Sequence, residues 1–158
     1  MNWSDVLEEP TLQDLPFKIE MNEWGKIVLS PASNKHGLLQ AEISFFLREY
    51  EKTGKIVTEC SINTAKGVKV ADVAWTSIDF FKKHGFDTPY PEAPEICVDI
   101  ISPSNSTQEM QEKTMLYLSK GAREVWVCDD DGLLSVYSYQ GLLEHSRLFP
   151  NFPKKIEF

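Results

Sequence analysis

The chain reads as an α/β (α+β) domain with one mixed central β-sheet flanked by helices, and three observations predict it. The order of patterned segments is hairpin, helix, strands, helix, strand, a mixture that builds a sheet with helices against it. Two runs, Glu95 to Ile101 and Arg123 to Cys128, are apolar in the manner of strands buried on both faces, with a helical segment between them. At 158 residues and 42% hydrophobic, the chain is long enough for one full core.

The elements follow in order. Residues 1–16 mix charges with Pro10 and Pro16 and read as an N-terminal arm holding at most one short helix. The domain proper spans 17–149, and 150–158 reads as a loose C-terminal tail. Phe17 to Met21 and Lys26 to Leu29 bracket Asn22-Glu23-Trp24-Gly25 as a hairpin. Ser33 or Asn34 caps a helix running to about Lys52, with Leu39, Ile43, Phe46, Leu47 and Tyr50 as its inward stripe. His36 extends that stripe by one turn. Lys55 to Asn63 and Lys69 to Trp75 form a hairpin around Ala65-Lys66-Gly67, and Ser77 opens a short helix to His84. Three prolines make residues 85–94 an irregular crossing before the strand from Glu95. Ser106-Thr107-Gln108-Glu109 is a capping box, and its helix stops at Gly121. After the strand ending at Cys128, Leu133 to Tyr139 pairs with a last strand at about Leu143 to Leu148.

Composition narrows the function. Met1 to Leu15 is acidic, unlike a signal peptide, and no run approaches the roughly 18 apolar residues of a membrane span. Cys60, Cys97 and Cys128 each lie in an apolar run without knuckle or redox-pair spacing, so buried, reduced thiols in a cytoplasm are expected. The net charge of −8 counts against a nucleic-acid binder, whose affinity rests on phosphate contacts. A DNA face would have to come from Lys66, Lys69, Lys82, Lys83 and Arg123.

Two acids stand where strand patterning calls for hydrophobes. Asp72 lies in Val70-Ala71-Asp72-Val73-Ala74, and Asp99 in Cys97-Val98-Asp99-Ile100-Ile101. A buried aspartate costs several kcal/mol unless a cation or donors compensate it. If the two strands are neighbours, the carboxylates lie within about 5 Å and would repel each other bare. Mg²⁺ or Mn²⁺ between them, held by hard oxygen ligands, resolves that repulsion. The structural alternative is that one aspartate caps a loop and the other pairs with a lysine.

The same stretches resemble the Uma-two family of restriction endonucleases, within the PD-(D/E)XK nuclease superfamily. The resemblance rests on Val70 to Ala74, on Val98-Asp99-Ile100-Ile101-Ser102-Pro103-Ser104, and on Glu112-Lys113-x-x-x-Tyr117. It also rests on Ser30-Pro31-Ala32-Ser33-x-x-His36 and Gly121-Ala122-Arg123-Glu124-Val125-Trp126, and covers about residues 17–148. It implies a restriction-endonuclease-like core and a metal-dependent phosphodiester site in which Asp72 and Asp99 are the two acidic ligands. Ala71 stands in place of the family's proline, Asp99 in place of its glutamate, and Ile101 where the superfamily lysine falls.

Lys113, two turns into the helix after the acidic strand, can replace that lysine and stabilise charge developing on the phosphate. Its structural alternative is an exposed i,i+4 partner for Glu109. His36 is a phosphate ligand or base, or a satisfied core histidine. Glu20 and Glu42 are candidates for an extra acidic ligand, or are solvated. Ser102 and Ser104 either meet a phosphate or cap the loop, and Tyr117 either touches the site or packs. Trp24, Trp75 and Trp126 read as core or interface. The expected function is a Mg²⁺- or Mn²⁺-dependent DNA endonuclease, with a homodimer expected because cutting two strands needs two sites. The competing expectations are a degenerate nuclease fold serving as a dimeric binding or assembly module, and a small-molecule phosphodiesterase.

Overall fold

The computed structural model describes residues 2–15, 17–103 and 105–158. Its main sheet has six strands in spatial order β3-β4-β5-β6-β7-β8, beside a separate two-stranded sheet β1-β2. The strands are β1 (Phe17–Met21), β2 (Ile27–Pro31), β3 (Lys55–Thr64), β4 (Gly67–Thr76), β5 (Ile96–Ile100), β6 (Glu124–Cys128), β7 (Leu134–Ser138) and β8 (Gly141–Leu143). The helices are α1 (Trp3–Glu8), α2 (Asn34–Tyr50), α3 (Ile78–His84) and α4 (Thr107–Ser119). Among the described strands only β5 and β6 run parallel, and α4 makes the crossover between them that parallel neighbours require. The mixed sheet flanked by helices is therefore as expected.

Each face of the sheet has its own helix layer. Val73, Val98, Ile100, Trp126 and Val136 pack on one side against Leu39, Ile43 and Leu47 of α2. Cys60, Ala74, Cys97 and Val125 pack on the other against Tyr117 and Leu118 of α4 and Phe80 of α3. Of the expected stripe on α2, Phe46 is half-buried and Tyr50 is 48% exposed, its ring reaching only the edge of the core at Phe152. All three cysteines are free and buried, and burial pushes the Cys60 thiol up to about 12. No helix among the described residues is long and apolar enough to cross a membrane.

Three expectations need correction. Residues 2–15 are more than an arm: α1 and a 3₁₀ turn at Pro10–Leu12 dock on the sheet, burying Trp3 and Val6 against Met21, Val68 and Val70. The segment after Pro150 is not loose. Phe152 and Ile156 lie in the core, and the Ile156 N–H donates to Gly132 O at 2.9 Å. Gly132 has φ +87°, and a side chain there would collide with Ile156 O, so glycine permits the approach. Finally, β8 is only Gly141–Leu143. Residues 146–148 leave the sheet because they wrap the buried carboxylate of Glu124, which accepts from Ser146 Oγ (2.6 Å) and the Arg147 (2.8 Å) and Leu148 (3.2 Å) N–H groups.

The small hairpin is brought close by a second glycine. Gly67, at φ +89° in the β3–β4 turn, sits against the Met21 and Asn22 carbonyls, where any Cβ would clash. That contact lays β1 along β4 and turns the Lys18 and Glu20 side chains toward the end of the main sheet.

Candidate active site

The β4–β5 ladder pairs Trp75 with Ile96, Ala74 with Cys97 and Val73 with Val98, then stops. The next pair in register would be Asp72 opposite Asp99. There the side chains replace the backbone ladder: the Ile100 N–H donates to Asp72 Oδ2 at 2.7 Å, and the Asp72 N–H faces Asp99 Oδ1 at 3.4 Å. The β3–β4 pairing is interrupted at the same level, between Thr58–Val73 and Cys60–Ala71. Glu59 is left-handed there, at φ 53°, a conformation that non-glycine residues adopt at a cost. Gln40 of α2 fills the gap, its Nε2 donating to Asp72 O and to Glu59 Oε1, both at 2.8 Å. Asp72 is thus fixed by backbone and side chain together.

Both aspartates are buried, at 1% and 2% exposure. Lys18 of β1 bridges them, with Nζ 3.0 Å from Asp72 Oδ1 and 3.3 Å from Asp99 Oδ1. His36 Nε2 lies 3.2 Å from Asp72 Oδ1. Lys113 of α4 reaches back over the strand end, with Nζ 2.8 Å from Glu20 Oε2 and 3.4 Å from Asp99 Oδ2. Its i,i+4 neighbour Glu109 is occupied otherwise, closing the capping box with the Ser106 N–H. Glu20 also accepts the Val70 N–H at 2.7 Å.

Above these groups opens a cavity of about 190 Å³ whose wall includes Lys18, Glu20, His36, Lys69, Asp99 and Lys113. Burial would raise the pKa of Asp72, but Lys18 first, then His36 and the Ile100 N–H, hold its carboxyl well below the usual range. Burial likewise opposes ionised Glu20, yet Lys113, Lys18 and the Val70 N–H keep it low. Burial disfavours the charge on Lys18, but Asp99, Asp72 and Glu20 outweigh it and hold the ammonium well above the lysine range. The bond to Asp72 raises His36 against a smaller opposing effect of burial.

Of the expected residues, the structure brings together Asp72, Asp99, Lys113, His36 and Glu20. Ser102 lines the cavity, with its Oγ donating to Asn105 Oδ1 at 3.0 Å, while Ser104 lies outside the described residues. Glu42 takes no part in the cavity wall, because six residues along α2 turn it about 120° away from His36. Tyr117 packs in the core beneath α4, fully buried, its hydroxyl without a hydrogen bond among the described residues. Lys69 lines the cavity, whereas Lys66 pairs with Glu112 and Lys83 with Glu92. Trp126 is core, Trp75 half-buried and Trp24 75% exposed. Lys18 and Gln40 are the site residues that sequence reasoning misses. Lys18 did carry a signal, since strand alternation puts it on the face of Glu20.

A metal can be tested against this donor set. Asp72 and Asp99 offer hard oxygen ligands, and Asp99 Oδ2 is a buried acceptor without a hydrogen bond among the described residues. Among the described residues, three such ligands within 4.8 Å of one another occur only at Asp129, Asp130 and Asp131. In that turn the Asp129 Oδ1 is already used by the Asp131 and Leu133 N–H groups. The aspartate pair thus fits a divalent cation in chemistry, with Lys18 standing between its oxygens.

The molecule is thus a mixed sheet flanked by helices, with two buried acids where neighbouring strands part and a lysine reaching them from the next helix. The chain belongs to the Uma2 family, whose model, described as "Putative restriction endonuclease", matches residues 9–151. Membership of this family supports a nuclease-like function. A crystal structure described as "a putative nuclease belonging to DUF820", from Anabaena variabilis, superposes with a TM-score of 0.70 at 21% identity, covering 89% of this chain and 80% of that one. At that identity the likeness establishes a shared fold. No curated protein matches the chain.

Proposed function

We propose that the protein is a metal-dependent DNA endonuclease, with Asp72 and Asp99 as ligands for Mg²⁺ or Mn²⁺. The observation that carries this is the parting of β4 and β5 at two buried carboxylates under an open, lysine-lined cavity. A sheet has no structural reason to end a ladder on two facing acids, since their repulsion must then be compensated. A divalent cation held there supplies Lewis-acid activation of water and charge neutralisation at the phosphate. The chain's own residues do the rest. Lys113 places an ammonium beside Asp99, where it meets negative charge growing on the phosphoryl oxygens. Glu20 fixes that lysine's direction, and His36, on the cavity wall, holds the phosphate or accepts a proton. Water adds to phosphorus, the bond to the 3′-oxygen breaks with its electron pair, and that oxygen takes a proton. The products are a 3′-hydroxyl and a 5′-phosphate.

Cleavage of both strands calls for two sites, so a homodimer is part of this proposal, as is a cytoplasmic setting. A second reading has its own support. Lys18 already neutralises both acids and the net charge is −8, as suits a degenerate nuclease fold that acts as a dimeric assembly module. Incubating wild type, Asp72→Asn and Asp99→Asn with plasmid and single-stranded DNA in Mg²⁺ or Mn²⁺ separates the two. Metal-dependent cutting by wild type alone supports the nuclease. Absence of cutting in all three, with a stable dimer by ultracentrifugation, supports the assembly module.

A further inference from the structure

We infer that Lys18 is a built-in counter-cation holding the metal position, and that a divalent ion enters this site by displacing its ammonium into the cavity. This rests on the metal-dependent reading above. The Lys18 Nζ lies 3.0 and 3.3 Å from one oxygen of each aspartate. A magnesium-sized ion must approach such oxygens to about 2.1 Å, in the space that the ammonium fills. Two cations cannot share that gap, so binding is an exchange.

The two site lysines are held differently. Lys113 has its shorter bond, 2.8 Å, to Glu20 outside the aspartate pair, and approaches Asp99 only at 3.4 Å. Lys18 is hydrogen-bonded to the aspartate pair itself, and its side chain already borders the open cavity. It rises from the two-stranded sheet, so its side chain can swing out without disturbing the ladder that carries Asp72 and Asp99. Once displaced, its charge faces the cavity where a phosphate would lie. The same residue that keeps two buried acids compatible before metal arrives then adds to anion binding.

The test is Mn²⁺ titration by calorimetry into wild type, Lys18→Met and Lys18→Arg. Lys18→Met is expected to bind about tenfold tighter or better, as follows from removing a contact like charge, and Lys18→Arg no tighter than wild type. Equal or weaker binding by Lys18→Met overturns the inference while leaving the metal site standing. Absence of heat in all three overturns both. Because Lys18→Met leaves two buried acids facing each other, a second measurement uses the unaltered chain. Acetylation of Lys18, followed by mass spectrometry, is expected to quicken when Mn²⁺ is added while that of Lys113 stays constant. Unchanged or slower labelling of Lys18 overturns the exchange.

Discussion

The molecule buries carboxylates at both ends of its parallel strand pair, and it treats them in opposite ways. Glu124, at the start of β6, is 2% exposed and ringed by neutral donors: Trp126 Nε1 at 2.9 Å, Ser146 Oγ, and the Arg147 and Leu148 N–H groups. Asp72, midway along β4 where the ladder to β5 stops, and Asp99, near the end of β5, are as deeply buried, but apart from the Ile100 N–H on Asp72 their charge leans on flexible side chains, Lys18, Lys113 and His36, which border a cavity. Backbone and indole donors are bound into the fold and cannot be exchanged for a ligand. Ammonium groups on long side chains can. Burial of an acid alone therefore says little about function; the mobility of what compensates it says more.

Substitution at each end breaks or sharpens the contrast. Asp99→Asn should lower DNA cleavage by about a thousandfold or more, the scale on which a metal ligand and charge partner matters. It should leave the melting temperature close to wild type, because Lys18 retains Asp72 and Lys113 retains Glu20. Glu124→Gln should do the reverse. Its amide cannot accept at both oxygens, so one pair of donors is orphaned and denaturant unfolding should show a loss of about 1–3 kcal/mol with turnover preserved. Next in size is Lys113→Met, with a loss of about a hundredfold in cleavage, typical of removing one charged stabiliser.

Acid should act on the Asp72 end through two carboxylates and a histidine. Asp72 and Glu20 have folded pKa values below their unfolded ones, so their contribution is complete above the ordinary carboxylate range of about 4. It is lost as pH falls through their lowered values. His36 runs the other way: its raised value stabilises fully below its unfolded pKa of about 6.5 and fades as pH rises through the folded one. Thermal unfolding across pH should fall away on the acid side, more gently on the alkaline side, and Asp72→Asn should flatten both limbs. The smallest expected effect is Glu42→Gln, which should change cleavage and stability by no more than about 0.5 kcal/mol, as for a surface change away from special contacts.

Much of this is legible in the chain. Asp72 and Asp99 stand out because each interrupts an apolar run, and strand alternation sends Asp99 to the face of Cys97. The capping box at Ser106 and Glu109 frees Lys113 from its local partner, which spacing alone leaves undecided. Other features have no periodic signature. Phe149, Phe152 and Ile156 complete the core from an irregular segment, and Gln40 meets Asp72 across 32 positions of sequence. Lys18 is hidden for a different reason: a lysine in a short exposed hairpin looks solvated until the hairpin is folded over the acids.

One feature of the acidic strand gives the molecule its own clock. Cys97, two residues before Asp99, is fully buried, and burial pushes its thiol well above the usual range. An alkylating reagent cannot reach it while the sheet is closed. Its alkylation rate, against that of Cys60 across the same layer, therefore counts the moments at which the strand beneath the site comes undone, with no residue substituted to report it.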